Sequence, residues 1–165
     1  MDSNLTKRIQ EFATLIPLRG GSKGIEKKNI SLVNNKPLFW HVTNASINAG
    51  LETYISTEDH EIKQIAIKLF DKINMIDRPK YLAKDDTTTE AVIEHFLEKN
   101  NSAKHVILLQ ATSPLTTHLD IKNAIKKYIE NNCIPLLSVI HEYSFIWDHN
   151  GKACNYDPFN RPRRQ

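Results

Sequence analysis

Short apolar runs alternate along this chain with segments in which apolar residues recur every three or four positions. The short runs stop at glycine, proline or polar residues, as is typical of buried strands, whereas the longer spacing predicts amphipathic helices. The predicted strands are residues 13–18, 51–56, 73–76, 105–110 and 134–140. The predicted helices begin at Pro37, at the cap Asp59, and at the capping-box sequences that start with Thr87 and Thr117.

The order of these elements favours the α/β class. Strands and helices alternate, and the strands are apolar on both sides, which is typical of a mostly parallel sheet with helices on both faces. In such sheets ligands bind at the carboxyl ends of the strands. The candidate loops are those that follow Leu18, Ser56, Ile76 and Gln110.

We expect one domain over residues 13–165, preceded by an extension over residues 1–12. In that extension the spacing of Leu5, Ile9 and Phe12 predicts a short helix.

Composition narrows the function classes. The chain has 165 residues, of which 40% are hydrophobic and 25% charged, as in an ordinary globular domain. The net charge of +3 gives no reason to expect a nucleic acid or a membrane as partner. Two cysteines and the lack of an apolar signal segment predict a reduced, cytoplasmic setting. The seven histidines show no metal-ligand spacing.

The loop after the first predicted strand combines three glycines with two cations, in the sequence Leu-Arg-Gly-Gly-Ser-Lys-Gly over residues 18–24. Glycines let backbone N–H groups approach a ligand, and Arg19 and Lys23 add the positive charge that a triphosphate requires. A surface turn with two solvated cations explains the same residues equally well. The P-loop pattern is absent. The pattern G-x-S-x-G leaves a serine hydrolase with Ser22 as nucleophile as a further alternative, although a nucleophile elbow needs a helix directly after it.

Two other loops carry polar side chains at predicted strand ends. Residues 110–114, Gln-Ala-Thr-Ser-Pro, are placed to hold a substrate, and equally to form an ordinary turn into the next helix. Residues 77–89 mix a cation, carboxylates and hydroxyls, which suits recognition of a base or binding of a metal. The residues alone favour a solvated loop with a helix cap. The basic residues 161–164 by themselves indicate a solvated tail.

Taken in order, these segments resemble the acylneuraminate cytidylyltransferase family, the CMP-sialic acid synthetases. The resemblance runs from Leu15 to Gln165. The matching segments are residues 18–24, 28–30, 36–38, 55–57, 78–79, 110–114 and 161–165. Each segment is weak alone, but the ordered set is specific. It favours phosphate binding over a surface turn for the glycine loop.

The resemblance implies a Rossmann-like nucleotidyltransferase fold. It also implies Mg²⁺-dependent transfer of CMP from CTP to the anomeric hydroxyl of an acidic nine-carbon keto sugar, with pyrophosphate released. It gives Arg19 and Lys23 a catalytic role in holding the triphosphate. The other nucleotide-binding residues that it implies are Leu18, Gly20, Gly21, Ser22, Asn29, Arg78, Thr87 and Thr89. The substrate-binding residues that it implies are Gln110, Thr112, Ser113, Arg163 and Arg164.

The sequence departs from the family pattern in three places. Family members continue past the position of Gln165 into a dimerisation segment and a late pair of metal-binding aspartates. We therefore expect the metal ligands and the homodimer contacts of a full-length relative to lie beyond this chain. Ile146 and Thr116 stand where basic residues are common, which leaves the identity of the sugar open. The main alternative is a non-catalytic nucleotide-binding remnant, and we expect the chain to bind nucleotide and to turn over poorly or not at all.

Overall fold

A parallel sheet organises the larger of two units in the computed structural model, which describes residues 8–100, 102–140 and 144–160. The units are Met1–Ile134 and Pro135–Gln165. The strands of the sheet are β1 (Phe12–Pro17), β4 (Glu52–Thr57), β5 (Asn74–Asp77) and β6 (His105–Leu108). Their spatial order is β5-β4-β1-β6, and every pairing is parallel. A separate hairpin pairs β2 (Leu32–Val33) with β3 (Lys36–Pro37).

Four α-helices lie between or after the strands of the larger unit in the described part of the chain. They are α1 (Leu38–Ala49), α2 (His60–Leu69), α3 (Thr89–Lys99) and α4 (His118–Glu130), with 3₁₀ turns at Lys28–Ile30 and Lys80–Ala83. The helix starts follow from local side chains. Asp59 caps α2 by accepting a hydrogen bond from the Ile62 N–H at 2.9 Å. Thr117 and Asp120 form the predicted reciprocal capping box at α4.

The cap of α3 lies one residue later than predicted. The Thr88 hydroxyl accepts from the Ala91 N–H at 3.2 Å, whereas the Thr87 hydroxyl donates to the Tyr81 carbonyl oxygen at 3.1 Å. Any of three consecutive threonines can cap a helix. Thr88 is the cap because its backbone is extended at the point where the loop enters the helix.

Helices cover both faces of the sheet. Alternate residues of β1 point to opposite sides, and the apolar residues on each side pack against different helices. On one side Ile16 packs with Phe39 and Val42 of α1 and with α2, while Phe12 packs with α1 and α4. On the other side Ala13 and Leu15 pack with Phe96 of α3. The predicted α/β architecture, with a mostly parallel sheet between helices, is therefore confirmed.

The amino-terminal extension is described only in part. Residues 1–7 lie outside the described residues, residues 8 and 9 are helical, and Phe12, which the spacing placed in the predicted helix, begins β1. Phe12 is buried, together with Ile9, against residues of α1 and α4. Burial of a bulky aromatic side chain in the sheet therefore overrides the helical spacing of this short segment.

The strand predicted at residues 134–140 does not form. The segment has no regular secondary structure, and Leu137, Val139 and Ile140 are 82%, 80% and 84% exposed. An apolar run becomes a strand only when a neighbouring backbone pairs with it, and Pro135 lacks an N–H to donate. In the unit that contains most of this segment, an isolated antiparallel bridge joins Trp147 to Ala153. No helix in the described part of the chain is long and apolar enough to cross a membrane.

Candidate functional site

A cleft of about 340 Å³ opens within the larger unit, at the carboxyl ends of β1, β5 and β6. Its volume lies at the lower end of the range of ligand sites. Eight of the residues predicted for the site line it: Arg19, Ser22, Asn29, Arg78, Thr87, Thr89, Gln110 and Thr112. Three loops distant in sequence therefore meet where ligands bind to parallel sheets.

Two predicted cations converge on the carboxylate of Asp85, which lines the cleft together with Arg19, whereas Lys23 does not line it. The Asp85 carboxylate accepts from Arg19 Nη1 at 2.8 Å and lies 2.6 Å from Lys23 Nζ. Lys23, with Arg19 beside it, holds the pKa of the Asp85 carboxyl below its ordinary value. Arg19 and Lys23 are thus placed to grip a single anion together. A phosphate presents acceptor oxygens of the same kind as a carboxylate.

The glycine loop is anchored at its start. Leu18 is fully buried and donates its N–H to the Ser56 carbonyl oxygen at 2.9 Å, so it supports the loop and does not line the cleft. The Gly20 N–H donates to Glu58 Oε1 at 2.7 Å. Gly20 also lies against Asp59, because a Cβ added to Gly20 would stand 2.3 Å from Asp59 Oδ2. Gly21 has open space where a side chain would be.

The functional reason for glycine therefore differs along the loop. At Gly20 the N–H is already engaged by a carboxylate, and glycine is required by close approach to the helix cap Asp59. At Gly21 no such steric constraint acts, and neither Gly20 nor Gly21 lines the cleft. That Gly20 and Gly21 contact the nucleotide stays a prediction.

Asn29 braces the same loop from the 3₁₀ turn. Its side chain is buried and donates from Nδ2 to the Arg19 carbonyl oxygen at 2.8 Å. This bond fixes the backbone of Arg19 and therefore the point from which the Arg19 side chain extends. Asn29 therefore acts on the cleft in two ways, through Arg19 and by lining the cleft itself.

Arg78 reaches the cleft from the end of β5, and its charge is paired below the surface. Its side chain is 4% exposed and donates from Nη2 to Glu58 Oε2 at 2.6 Å and from Nε to the same oxygen at 3.1 Å. Glu58, with a side chain 13% exposed, was not among the predicted site residues. The available signal was its position, directly after Thr57 at the carboxyl end of β4.

The residues predicted to hold the sugar are only partly gathered. Gln110 and Thr112 line the cleft, and the Thr112 hydroxyl donates to Gln110 Oε1 at 3.4 Å. Ser113 does not line it, and its N–H closes a turn with the Gln110 carbonyl oxygen. The expected strand over residues 105–110 ends at Leu108, and β6 is the edge of the described sheet, since β1 alone pairs with it there. Arg163 and Arg164 lie outside the described residues.

Neither a resident metal nor a serine nucleophile is assembled by the described residues. They contain no group of three or more side chains of the metal-ligating types. The carboxylate in the cleft wall, Asp85, is already engaged by two cations. Ser22 lies in an irregular loop that runs into a 3₁₀ turn, not into the helix that a nucleophile elbow needs, and no histidine is among the described residues that line the cleft.

A parallel sheet between helices, with a cation-bearing glycine loop at its carboxyl edge, defines a Rossmann-like nucleotidyltransferase fold. The solved CMP:2-keto-3-deoxy-manno-octonic acid synthetase complexed with CTP has this fold, with a TM-score of 0.63 at 21% identity. The similarity covers 75% of this chain and 49% of that one. The family model for cytidylyltransferases matches residues 13–160, so the chain belongs to the cytidylyltransferase family.

Two relatives illustrate the similarity of this chain to family members. N-acylneuraminate cytidylyltransferase B of Danio rerio is 31% identical over 161 residues, covering 93% of this chain and 38% of the relative. Pseudaminic acid cytidylyltransferase of Campylobacter jejuni is 36% identical over 154 residues, covering 87% of this chain and 66% of the relative. The chain thus spans well under half the length of the former relative and about two thirds of the latter.

Proposed function

We propose that this chain binds CTP in the cleft and transfers CMP to an acidic nine-carbon keto sugar of the sialic acid type, releasing pyrophosphate. One observation carries the proposal: Arg19 and Lys23 converge on the carboxylate of Asp85, which lines the cleft, in a chain of the cytidylyltransferase family. The names of the relatives, N-acylneuraminate and pseudaminic acid cytidylyltransferases, support an acidic sugar as acceptor.

In the proposed reaction the anomeric hydroxyl oxygen attacks the α-phosphorus of CTP. The bond from that phosphorus to the bridging oxygen of pyrophosphate breaks, and the hydroxyl proton leaves to solvent. Arg19 and Lys23 exchange Asp85 for phosphate oxygens and neutralise the charge that grows on the leaving pyrophosphate. This chemistry depends on positioning and charge, which the braced glycine loop supplies.

The remaining residues divide between the two substrates. Arg78, Thr87 and Thr89 line the part of the cleft that follows β5, and we assign them to the cytidine. Gln110 and Thr112 line the part that follows β6, and we assign them, with Ser113, Arg163 and Arg164, to the sugar. Mg²⁺ enters in this proposal on the triphosphate of CTP, since this ion is commonly held largely by substrate phosphates and water.

The test is release of pyrophosphate by the purified chain. CTP is supplied with N-acetylneuraminate, with pseudaminate, with neutral N-acetylmannosamine as control, or with no sugar. The proposal expects release that requires an acidic keto sugar and CMP-sugar as the second product. CTP binding without any sugar-dependent release, both by this chain and by the chain extended with the carboxyl-terminal segment of a relative, contradicts the transferase proposal and favours a nucleotide-binding protein without activity.

A further inference from the structure

One carboxylate joins two walls of the cleft. Glu58 Oε1 accepts the Gly20 N–H at 2.7 Å, and Glu58 Oε2 accepts the Arg78 guanidinium at 2.6 Å. Gly20 belongs to the loop after β1 and Arg78 to the loop after β5. Glu58 itself follows β4, the strand that pairs with both. The bridge therefore spans three neighbouring strand ends.

The backbone on either side of this bridge is fixed. The Leu18 N–H donates to the Ser56 carbonyl oxygen, and the Arg78 N–H donates to the Thr57 carbonyl oxygen at 3.0 Å. Both loops thus leave the sheet from defined points beside the end of β4. Side chains set the direction of the peptide that joins Arg19 to Gly20: Glu58 accepts its N–H, and Asn29 donates to its carbonyl oxygen. Glu58 also holds the Arg78 side chain, and it therefore connects the two loops.

The bridge is shielded from solvent, so removing one of its members is expected to cost more free energy than it would at an exposed site. The Arg78 and Glu58 side chains are 4% and 13% exposed. Removing one member of a buried, hydrogen-bonded charge pair leaves the other charge uncompensated. It also frees a guanidinium group that lines the cleft to turn toward other acceptors. The Gly20 N–H that Glu58 accepts belongs to the peptide between Arg19 and Gly20, so the bridge also bears on the backbone position of Arg19.

We propose that Glu58 is a positioning residue of the nucleotide site, which holds the glycine loop and Arg78 in the relative position that CTP binding requires. The inference rests on the proposed function for the identity of the ligand. Glu58 itself touches no nucleotide in this account, because both of its carboxylate oxygens are occupied by protein donors.

The hydrogen bond between the Gly20 N–H and Glu58 can be detected by NMR without any ligand. The chain has five glycines, so selective labelling with ¹⁵N-glycine gives five backbone amide signals, and the signal lost in Gly20→Ala identifies Gly20. Glu58→Gln should move the Gly20 amide proton, because a hydrogen bond to an ionised acceptor is replaced. The Gly50 signal, from the end of α1, should stay in place. The exposed Glu94→Gln is the matched control and should move neither.

Titration with CTP then tests positioning. In Glu58→Gln the dissociation constant for CTP should rise about tenfold or more, while Glu94→Gln keeps the wild-type value. Glu58→Asp keeps the charge but is one methylene too short to reach both partners, so it should give a smaller rise. It also serves if Glu58→Gln does not fold. The unfolding midpoint, measured in parallel, separates lost affinity from lost folded protein.

The outcomes separate the two proposals. Failure of the wild-type chain to bind CTP overturns the proposed function, while an unmoved Gly20 signal in both Glu58 variants overturns the bridge. A moved Gly20 signal with unchanged CTP affinity in a folded variant shows that Glu58 is structural only and contradicts the inference. A moved signal together with weakened binding supports it.

Discussion

Gly20→Ala probes the closest approach in the candidate site, the contact between the glycine loop and the cap of α2. A Cβ at residue 20 would lie 2.3 Å from Asp59 Oδ2 and 2.9 Å from both Asp59 Cβ and Cγ. All three distances are shorter than van der Waals contact, so the whole Asp59 side chain must move. That side chain accepts the Ile62 N–H at 2.9 Å, and the movement breaks this cap.

The magnitude follows from opposing effects. Loss of an Asp cap costs about 0.5–2 kcal/mol of stability, and residual crowding adds about 1 kcal/mol or more. Alanine also restricts the unfolded chain, which stabilises by about 0.4–1 kcal/mol where the backbone allows it. Gly20 does not have positive φ, so no backbone strain adds to these. We expect a net loss of about 1–2 kcal/mol.

Gly21→Ala is the matched control, since an added Cβ there meets nothing within 4 Å. It should leave stability unchanged or raise it by a few tenths of a kcal/mol to about 1 kcal/mol. Urea unfolding followed by far-ultraviolet circular dichroism measures both variants on one scale. Equal stability of Gly20→Ala and Gly21→Ala refutes the close approach of Gly20 to Asp59.

Three further results are expected. Asp85→Asn should strengthen CTP binding several-fold in calorimetry at pH 7, because Arg19 and Lys23 lose their internal anion; weaker binding would show that Asp85 assists the nucleotide. Because Lys23 and Arg19 depress the pKa of Asp85, this ion pair persists above that pKa and is lost as pH falls through it. ¹³C carboxyl NMR should give a titration midpoint for Asp85 below the ordinary value of an aspartic acid, and CTP should raise that midpoint; a midpoint unmoved by saturating CTP speaks against displacement. Thr117→Ala should cost about 1 kcal/mol in urea unfolding through loss of the capping box, whereas an equal cost in Thr116→Ala would show that the cap is not the cause.

Features set by nearby residues were predictable from the sequence. Thr117 and Asp120 lie three positions apart, and the reciprocal hydrogen bonds between such a pair need only local backbone geometry. Asp59 starts α2 for the same reason. The alternation of apolar runs also gave the parallel sheet, since strands buried on both faces leave few other arrangements.

Features set by distant residues were not predictable in this way. Glu58 and Arg78 are 20 positions apart, and only the adjacency of β4 and β5 brings them together. The engagement of the Gly20 N–H by Glu58 depends in the same way on the adjacency of β1 and β4. The apolar run at 134–140 has strand composition, but within the described residues no backbone pairs with it, and whether a distant segment pairs with a strand is not encoded in the local sequence.

The central claim is that the cleft is a CTP site gripped by Arg19 and Lys23, and calorimetric titration of wild-type chain and Arg19→Ala with CTP tests it most directly. The account predicts saturable binding of CTP by the wild-type chain, in the micromolar-to-millimolar range, and tighter than binding of ATP. It predicts that Arg19→Ala loses about 1.5–3 kcal/mol of binding free energy, the worth of a charge-assisted contact to phosphate. Equal affinity of wild type and Arg19→Ala for CTP would contradict it.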